Sequence, residues 1–161
     1  MAGDIERHGV AVDVSWSEEG RQGTYYVEQG VEPRGTTVLY DRQGSAVIDA
    51  TVDDLAVETI RNAEVLFTSG ITPALSDTLR RTTGKLVRLA EGADTRVAFD
   101  VNYRSKLWSP GTARETLEEL FPVVDVLMVA ERDARAILRR SADAGGTAHE
   151  LATDSRSIPS C

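Results

Sequence analysis

The sequence predicts an α/β fold in which parallel strands alternate with helices, preceded by a β-rich portion. After Ala50, short apolar runs alternate with segments of helical periodicity. This order is typical of parallel strands that are joined by right-handed helical crossovers. Before Ala50, runs of β-branched and aromatic residues are separated by turn residues, which indicates a hairpin or meander.

The N-terminal portion is predicted to contain one helix end and three strands. Residues Asp4 to Gly9 are typical of a helix that ends at glycine, and Val10 to Trp16 alternate as a strand does. After a turn at 17–20, the β-rich runs are Thr24–Glu28 and Thr36–Tyr40, with Pro33-Arg34-Gly35 between them.

The C-terminal portion is predicted to repeat helix and strand. A helix opens at Asp53-Asp54, where acids favour the helix dipole. The strands are predicted at Val65–Phe67, around Val97, and at Val123–Val129, and the last should be covered on both faces because it is almost wholly apolar. The intervening helices carry the apolar residues Leu75, Leu79, Leu86 and Leu89, with a break near Gly84, and then Ala113, Leu117, Leu120 and Phe121. A last helix is predicted at Glu131–Arg140.

Composition excludes several classes of protein. The net charge of −8 opposes nonspecific nucleic-acid binding, so no nucleic-acid partner is expected. No apolar run approaches the roughly 18 residues of a membrane span, and the first residues lack the features of a signal peptide. A cytoplasmic protein without a membrane partner is therefore expected. The single Cys161 allows no disulfide framework, and no metal site is predicted.

A carboxylate, an amide and a guanidinium follow the Val97–Phe99 run as Asp100, Asn102 and Arg104. Ligands bind at the carboxyl ends of strands in open α/β sheets. An arginine there suits a carboxylate or phosphate, because its planar fork can bind two oxygens at once. The alternative is an ion pair between Asp100 and Arg104 that only shapes the loop.

A second candidate group lies in the β-rich portion, where Tyr40-Asp41-Arg42 follows a strand and Tyr25 occupies its neighbour. Two tyrosines and a cation suit a sugar that carries hydroxyl groups and a carboxylate. The alternative is aromatic packing between strands, with Arg42 in solvent.

Two further strand ends carry polar groups. In Ser69-Gly70-Ile71-Thr72-Pro73, glycine allows a close backbone approach to a ligand, but an ordinary connection with Thr72 or Ser76 as helix cap is the alternative. The acids in Ala130-Glu131-Arg132-Asp133 suit the start of a helix, where they interact with the helix dipole. The alternative is that they bind magnesium or water near a phosphate.

Taken together and in this order, the segments resemble those of the PfkB, or ribokinase-like, carbohydrate kinases, and most closely the 2-keto-3-deoxygluconate kinases. The resemblance rests on Ser69 to Ser76 (SGITPALS), on Asp100 to Arg104 (DVNYR), and on Leu107 to Pro110 (LWSP). Gly23-Thr24-Tyr25 and Tyr40 to Ala46 are similar to the two segments that line the sugar in that family.

The resemblance implies a ribokinase-like fragment with a small β lid and transfer of the ATP γ-phosphoryl group to a sugar hydroxyl with Mg²⁺. It implies an acid-sugar site at Tyr25, Tyr40, Arg42, Asn102 and Arg104, and it assigns Asp133 to cofactor binding. It also implies association of copies through the lid. No catalytic residue is assigned, since nothing in the chain resembles the family's Gly-Ala-Gly-Asp segment or its N-terminal Gly-Gly-x-x-x-Asn segment, and Ala130 and Asp133 replace the Asn and Glu of its Asn-x-x-Glu motif.

The expected organisation is a partial PfkB domain over residues 1–151. Lid and substrate strands lie at about 10–48 and an α/β core at about 52–140, followed by a tail at 152–161 that is predicted to be disordered. The function expected from this resemblance is a fragment of an ATP-dependent acid-sugar kinase that is inactive alone. A kinase for another sugar, such as fructose or ribose, and a non-catalytic sugar-binding or interaction remnant are the alternatives.

Overall fold

The structure, a computed structural model, describes residues 2–138, and the chain divides into two compact units, Met1–Ala50 and the part from Thr51 onward. The predicted tail and the last two residues of the predicted helix 131–140 lie outside the described residues. The helices are α1 Ala2–Glu6, α2 Val57–Arg61, α3 Ile71–Leu75, α4 Asp77–Glu91, α5 Pro110–Leu120 and α6 Glu131–Leu138. The strands are β1 Thr24–Glu28, β2 Thr37–Asp41, β3 Val65–Ser69, β4 Arg96–Asp100 and β5 Val126–Met128, and 3-10 turns span Ala46–Asp49, Val52–Asp54 and Phe121–Val123.

The first unit contains the predicted hairpin. Strands β1 and β2 pair antiparallel, with Tyr25 opposite Tyr40 and Tyr26 opposite Leu39. Because side chains alternate along a strand, these two pairs lie on opposite faces of the hairpin. Almost every residue of both strands is exposed. The hairpin therefore presents two aromatic or apolar faces.

The prediction of a strand at Val10–Trp16 is wrong, because this segment forms neither a helix nor a strand. Alternation of apolar and polar residues predicts a strand only where one face becomes buried. Here Val10, Val14 and Trp16 are all exposed, and no strand in residues 2–138 pairs with the segment.

The second unit is built on a three-stranded parallel sheet in the order β3-β4-β5. Leu66 is level with Val97, and Phe99 with Leu127. Val97 and Phe99 are fully buried and pack with Val87, Leu117 and Ile137 into one core. The prediction that Val65, Val97 and Val126 lie on neighbouring parallel strands, apart from the antiparallel tyrosine pair, is confirmed.

The other face of this sheet is open. Phe67 is level with Ala98, which is level with Val126, so all three side chains point to one face. Phe67 is 62% exposed, and Val126 and Met128 are exposed too. The predictions of a buried strand at 65–67 and of a 123–129 strand covered on both faces are therefore wrong. Strand β5 is also shorter than predicted, because the 3-10 turn at Phe121–Val123, which contains Pro122, occupies its first part.

The break in the predicted helix between Leu75 and Leu89 lies at Ser76 and not near Gly84. Helix α4 runs through the buried Gly84 without interruption, and the break lies at Ser76, whose extended backbone separates α3 from α4. The Ser76 hydroxyl accepts a hydrogen bond from the N–H of Leu79 (3.0 Å), so Ser76 is the N-cap of α4. The helix predicted from Asp53 is a 3-10 turn followed by the short α2. Within residues 2–138, every helix is too short or too polar to cross a lipid bilayer.

Candidate functional site

The carboxyl ends of the three parallel strands are tied together by backbone hydrogen bonds. The Gly70 N–H donates to the Asp100 carbonyl (2.8 Å), and the Val101 N–H donates to the Met128 carbonyl (2.9 Å). Ser69, Asp100 and Met128 are level in the sheet. The chain after β4 therefore starts from a fixed edge, which is where the sequence places its first group of candidate residues.

Asn102 turns the chain away from this edge. Its φ is +37°, a region that asparagine tolerates better than most residues. Its N–H donates to the Asp100 carboxylate (3.2 Å), while its side-chain amide makes no hydrogen bond to any residue between 2 and 138. The backbone of Asn102 thus shapes the turn, and its amide is available to a ligand.

Arg104 lies in the loop between Asn102 and α5 and is exposed. Its guanidinium has no hydrogen bond or ion pair with the described part of the chain, so an ion pair to Asp100 is absent there. The loop itself is held, because the Leu107 N–H donates to the Arg104 carbonyl (2.9 Å). The Tyr103 hydroxyl donates to the Trp108 carbonyl (3.3 Å). A fixed backbone thus carries a guanidinium that has no partner between residues 2 and 138.

Asp133, in the first turn of α6, is 4% exposed. One carboxylate oxygen accepts a hydrogen bond from the Tyr103 N–H (3.2 Å), and the other accepts one from the Arg132 Nε (3.2 Å). The structure thus brings Asp133 to the loop that carries Asn102 and Arg104. Its sequence-based assignment to cofactor binding stays a prediction.

Tyr25, Tyr40 and Arg42 come together in the first unit. The two tyrosine rings lie 6.3 Å apart between centroids and are tilted by 41°. The Arg42 Cζ lies 4.3 Å from the centre of the Tyr40 ring, a cation–π contact. The structure therefore contains the aromatic packing between the strands, and it also holds the Arg42 cation against the Tyr40 ring. Because this group and the Asn102–Arg104 group belong to different units, their convergence on one sugar stays a prediction.

Two residues that sequence reasoning missed hold the Arg42 turn. Arg21 forms an ion pair with the Asp41 carboxylate and donates to the Gln43 carbonyl (2.6 Å), on either side of Arg42. Ser45, which is 2% exposed, donates to the Arg42 carbonyl from its N–H (3.1 Å) and from its hydroxyl (2.7 Å). Ser45 reaches Arg42 locally, three residues along the chain, but Arg21 lies 20 residues from Asp41, so no local sequence signal could have identified Arg21.

The kinase resemblance also implies groups that hold a divalent metal. Residues 2–138 contain no group of three or more His, Cys, Asp or Glu side chains with the spacing of a metal site. The acid that the resemblance connects with the nucleotide, Asp133, has one oxygen hydrogen-bonded to the Tyr103 N–H and the other to the Arg132 side chain. Among the described residues, no cluster of acidic side chains marks a metal position by itself.

Comparison with known proteins decides the family. The sequence profile of the pfkB family carbohydrate kinases matches residues 1–155. The chain belongs to this family. Its α/β fold, the SGITPALS and DVNYR segments and the hairpin agree with that membership.

Three relatives illustrate the similarity. A 2-dehydro-3-deoxygalactonokinase from Haloferax volcanii is 55% identical over 151 residues, which are 94% of this chain and 48% of that protein. A 2-dehydro-3-deoxygluconokinase from Thermoproteus tenax is 34% identical over 119 residues, 72% of this chain and 35% of the relative. The crystal structure of 2-dehydro-3-deoxygluconokinase from Thermotoga maritima superposes with a TM-score of 0.88 at 29% sequence identity. The superposition covers 96% of this chain and 49% of the Thermotoga maritima chain.

The chain thus spans about half the length, or less, of the pfkB relatives that it matches. The kinase names belong to those longer proteins. The prefixes 2-dehydro and 2-keto describe the same carbonyl group, so the names fit the acid sugars that the sequence predicts.

Proposed function

We propose that this chain is the sugar-binding part of an ATP-dependent pfkB kinase for 2-keto-3-deoxygluconate or its galactonate isomer. The observation that carries the proposal is Arg104, a guanidinium without an intramolecular partner in the described chain, on a loop held at both ends. The names of the relatives from Haloferax volcanii and Thermoproteus tenax support the choice of sugar.

The roles that we propose follow from side-chain chemistry. Arg104 and Arg42 bind the sugar carboxylate, because guanidinium pairs bidentately with two oxygens. The Asn102 amide donates to and accepts from sugar hydroxyl groups. Tyr25 and Tyr40 offer ring faces and hydroxyl tips to the carbon skeleton. A neutral sugar gives the two arginines no anionic partner, so an acid sugar is preferred.

Phosphoryl transfer needs more than this arrangement. Positioning, metal, charge stabilisation and a base all contribute to it. Bound ATP would supply the γ-phosphoryl group, and a divalent metal would neutralise its charge. The residues assigned here only bind and orient the sugar, so we propose that the 161-residue chain binds the sugar without phosphorylating it.

Calorimetric titration of the purified chain tests the proposal. We expect saturable binding of 2-keto-3-deoxygluconate or 2-keto-3-deoxygalactonate, much weaker binding of fructose, and no sugar phosphorylation in the presence of ATP and Mg²⁺. Equal binding of fructose and the acid sugars would contradict the acid-sugar site. Metal-dependent turnover would contradict the proposal that the chain only binds.

We also propose that copies of the chain associate through the hairpin, in the cytoplasm. Tyr26 and Leu39 are exposed on the face opposite Tyr25 and Tyr40, so association and sugar binding use different faces. Sedimentation of the Tyr26→Ser variant tests this. A monomer–dimer equilibrium that is unchanged by the substitution would contradict association through this face.

A further inference from the structure

We propose that Asp133 is a positioning residue that fixes the Asn102–Arg104 turn through a hydrogen bond to the Tyr103 backbone. The inference rests on the proposed function and deepens it. It gives Asp133 a role in presenting the sugar-binding arginine, whereas the sequence resemblance assigns it to cofactor binding.

The bonded backbone N–H lies between the two residues to which we assign sugar binding. Tyr103 follows Asn102, whose φ is +37°, and precedes Arg104. The Asp100 carboxylate accepts the Asn102 N–H (3.2 Å), and the Asp133 carboxylate accepts the Tyr103 N–H (3.2 Å). Two successive N–H groups of the turn are therefore satisfied by two acids. Removal of the second acceptor would leave an N–H of the strained turn without a partner.

The element that carries Asp133 is itself fixed. Ile137 is fully buried in the core, and its carbonyl accepts hydrogen bonds from the Arg114 Nε (2.7 Å) and Nη2 (2.5 Å). Arg114 belongs to α5 and so holds the C-terminal turn of α6, while Asp133 holds the loop from the N-terminal turn. Helix α6 thus connects the core to the loop of Arg104.

The acceptor atom, and not the negative charge, carries this role. The only cation bonded to Asp133 within the described chain is Arg132, whose side chain is 74% exposed and makes a single contact at 3.2 Å. Ion pairs with an exposed partner contribute little. An asparagine keeps an oxygen that accepts the Tyr103 N–H, so Asp133→Asn should preserve the turn. Asp133→Ala removes the oxygen and should loosen the turn.

The test compares these two variants in the full 161-residue chain. Hydrogen exchange without sugar measures the protection of the Tyr103 amide, and calorimetry measures the affinity for 2-keto-3-deoxygluconate and for fructose. We expect Asp133→Ala to lose protection at Tyr103 and about tenfold in acid-sugar affinity, or 1.4 kcal/mol. We expect Asp133→Asn to stay within about threefold of the parent chain, which is under 1 kcal/mol at that scale. Glu131→Gln, which removes one charge from the same helix turn at an exposed position, is the matched control.

The outcomes separate the alternatives. A loss of affinity in Asp133→Asn as large as in Asp133→Ala, with Glu131→Gln unchanged, would show that the charge matters and would overturn the proposal. Unchanged Tyr103 protection in Asp133→Ala would overturn it as well. If the parent chain binds no acid sugar, the proposed function fails, and exchange at Tyr103 still decides whether Asp133 holds the turn. If Asp133→Ala fails to fold, a loss of Tyr103 protection or of acid-sugar affinity in Asp133→Asn would overturn the proposal.

Discussion

Gly70 lies directly against Val101: a Cβ atom added at Gly70 would come within 2.2 Å of the Val101 carbonyl oxygen. The close approach belongs to the carboxyl edge of the sheet, where the Gly70 N–H also donates to the Asp100 carbonyl. The glycine of the SGITPALS segment thus serves a contact within the chain, between the ends of β3 and β4.

Replacement of Gly70 by alanine should therefore destabilise the second unit. Because the obstructing atom belongs to the backbone, the strand ends must separate, and overpacking of this kind costs about 1–3 kcal/mol in the free energy of unfolding. Urea unfolding measures the change. Gly111→Ala is the matched control: its Cβ would lie 3.7 Å from the Ser109 hydroxyl, which is an ordinary contact, so alanine should not destabilise α5. Equal stability of the two variants would contradict the close approach.

Arg104→Ala should weaken acid-sugar binding by the chain. Loss of a charge-assisted hydrogen bond to the carboxylate costs about 1.5–3 kcal/mol, or about ten- to a hundredfold in affinity. Arg104→Lys should restore only part of it, because an ammonium lacks the planar fork. Calorimetry with 2-keto-3-deoxygluconate measures both, and Lys106→Ala controls for the loss of a cation from the same loop. Full binding by Arg104→Ala would disprove its role.

The Asp54 carboxylate should stabilise the start of the second unit at neutral pH. Hydrogen bonds from the Thr51 N–H and then the Thr51 hydroxyl, each 2.8 Å, lower the pKa of Asp54 below its ordinary value of 3.8. A lowered folded-state pKa means that the stabilisation is fully present above 3.8 and is lost as the pH falls through the folded value.

Thermal melts across the acidic range test this. Asp54→Asn should reduce the loss of stability that we expect the parent chain to show as the pH falls below 3.8. Asp53→Asn removes an adjacent carboxylate without touching the Thr51 bonds and serves as the control. A carboxyl titration of Asp54 with its midpoint at or above 3.8 would refute the assignment.

The open sheet face should make the isolated chain self-associate. Val65, Phe67, Val126 and Met128 are apolar, exposed and carried on the same side of the sheet. Phe67→Thr keeps β propensity and removes the largest exposed ring, so it should raise the concentration at which light scattering begins. Trp16→Thr is the control, because Trp16 is also exposed but lies outside any strand. An unchanged scattering threshold for Phe67→Thr would show that association occurs elsewhere.

Local patterns predicted the order of strands and helices but not their surroundings. The apolar runs at Val65, Val97 and Val126 each form a strand, because short runs rich in β-branched residues are typical of strands. The same runs predicted burial on both faces, yet burial depends on what covers the sheet, which periodicity does not report. Near Ser76, a hydroxyl that caps the Leu79 N–H decides the helix break, while the glycine at 84 is accommodated inside the helix.

The candidate site divides in the same way. Asn102 and Arg104 could be proposed from the sequence because they lie two and four residues after the end of β4, and their role in sugar binding stays a prediction. The hydrogen bond between Asp133 and Tyr103 joins positions 30 residues apart, and Arg114 reaches Ile137 across 23 residues. Side-chain-to-backbone bonds of that range carry no local sequence signal, so they emerge only from the packing of α5 and α6.

The buried indole of Trp108, in the residue whose carbonyl accepts the Tyr103 hydroxyl, gives the chain an optical reporter of its own. Trp108 is 7% exposed and closes the loop that carries Arg104, whereas Trp16 is 87% exposed. An indole shielded from water emits at shorter wavelength than a solvated one, so a Trp16→Phe chain would report Trp108 alone. The arrival of an acid sugar at Arg104 would then be visible as a change in emission, without any label attached to the protein.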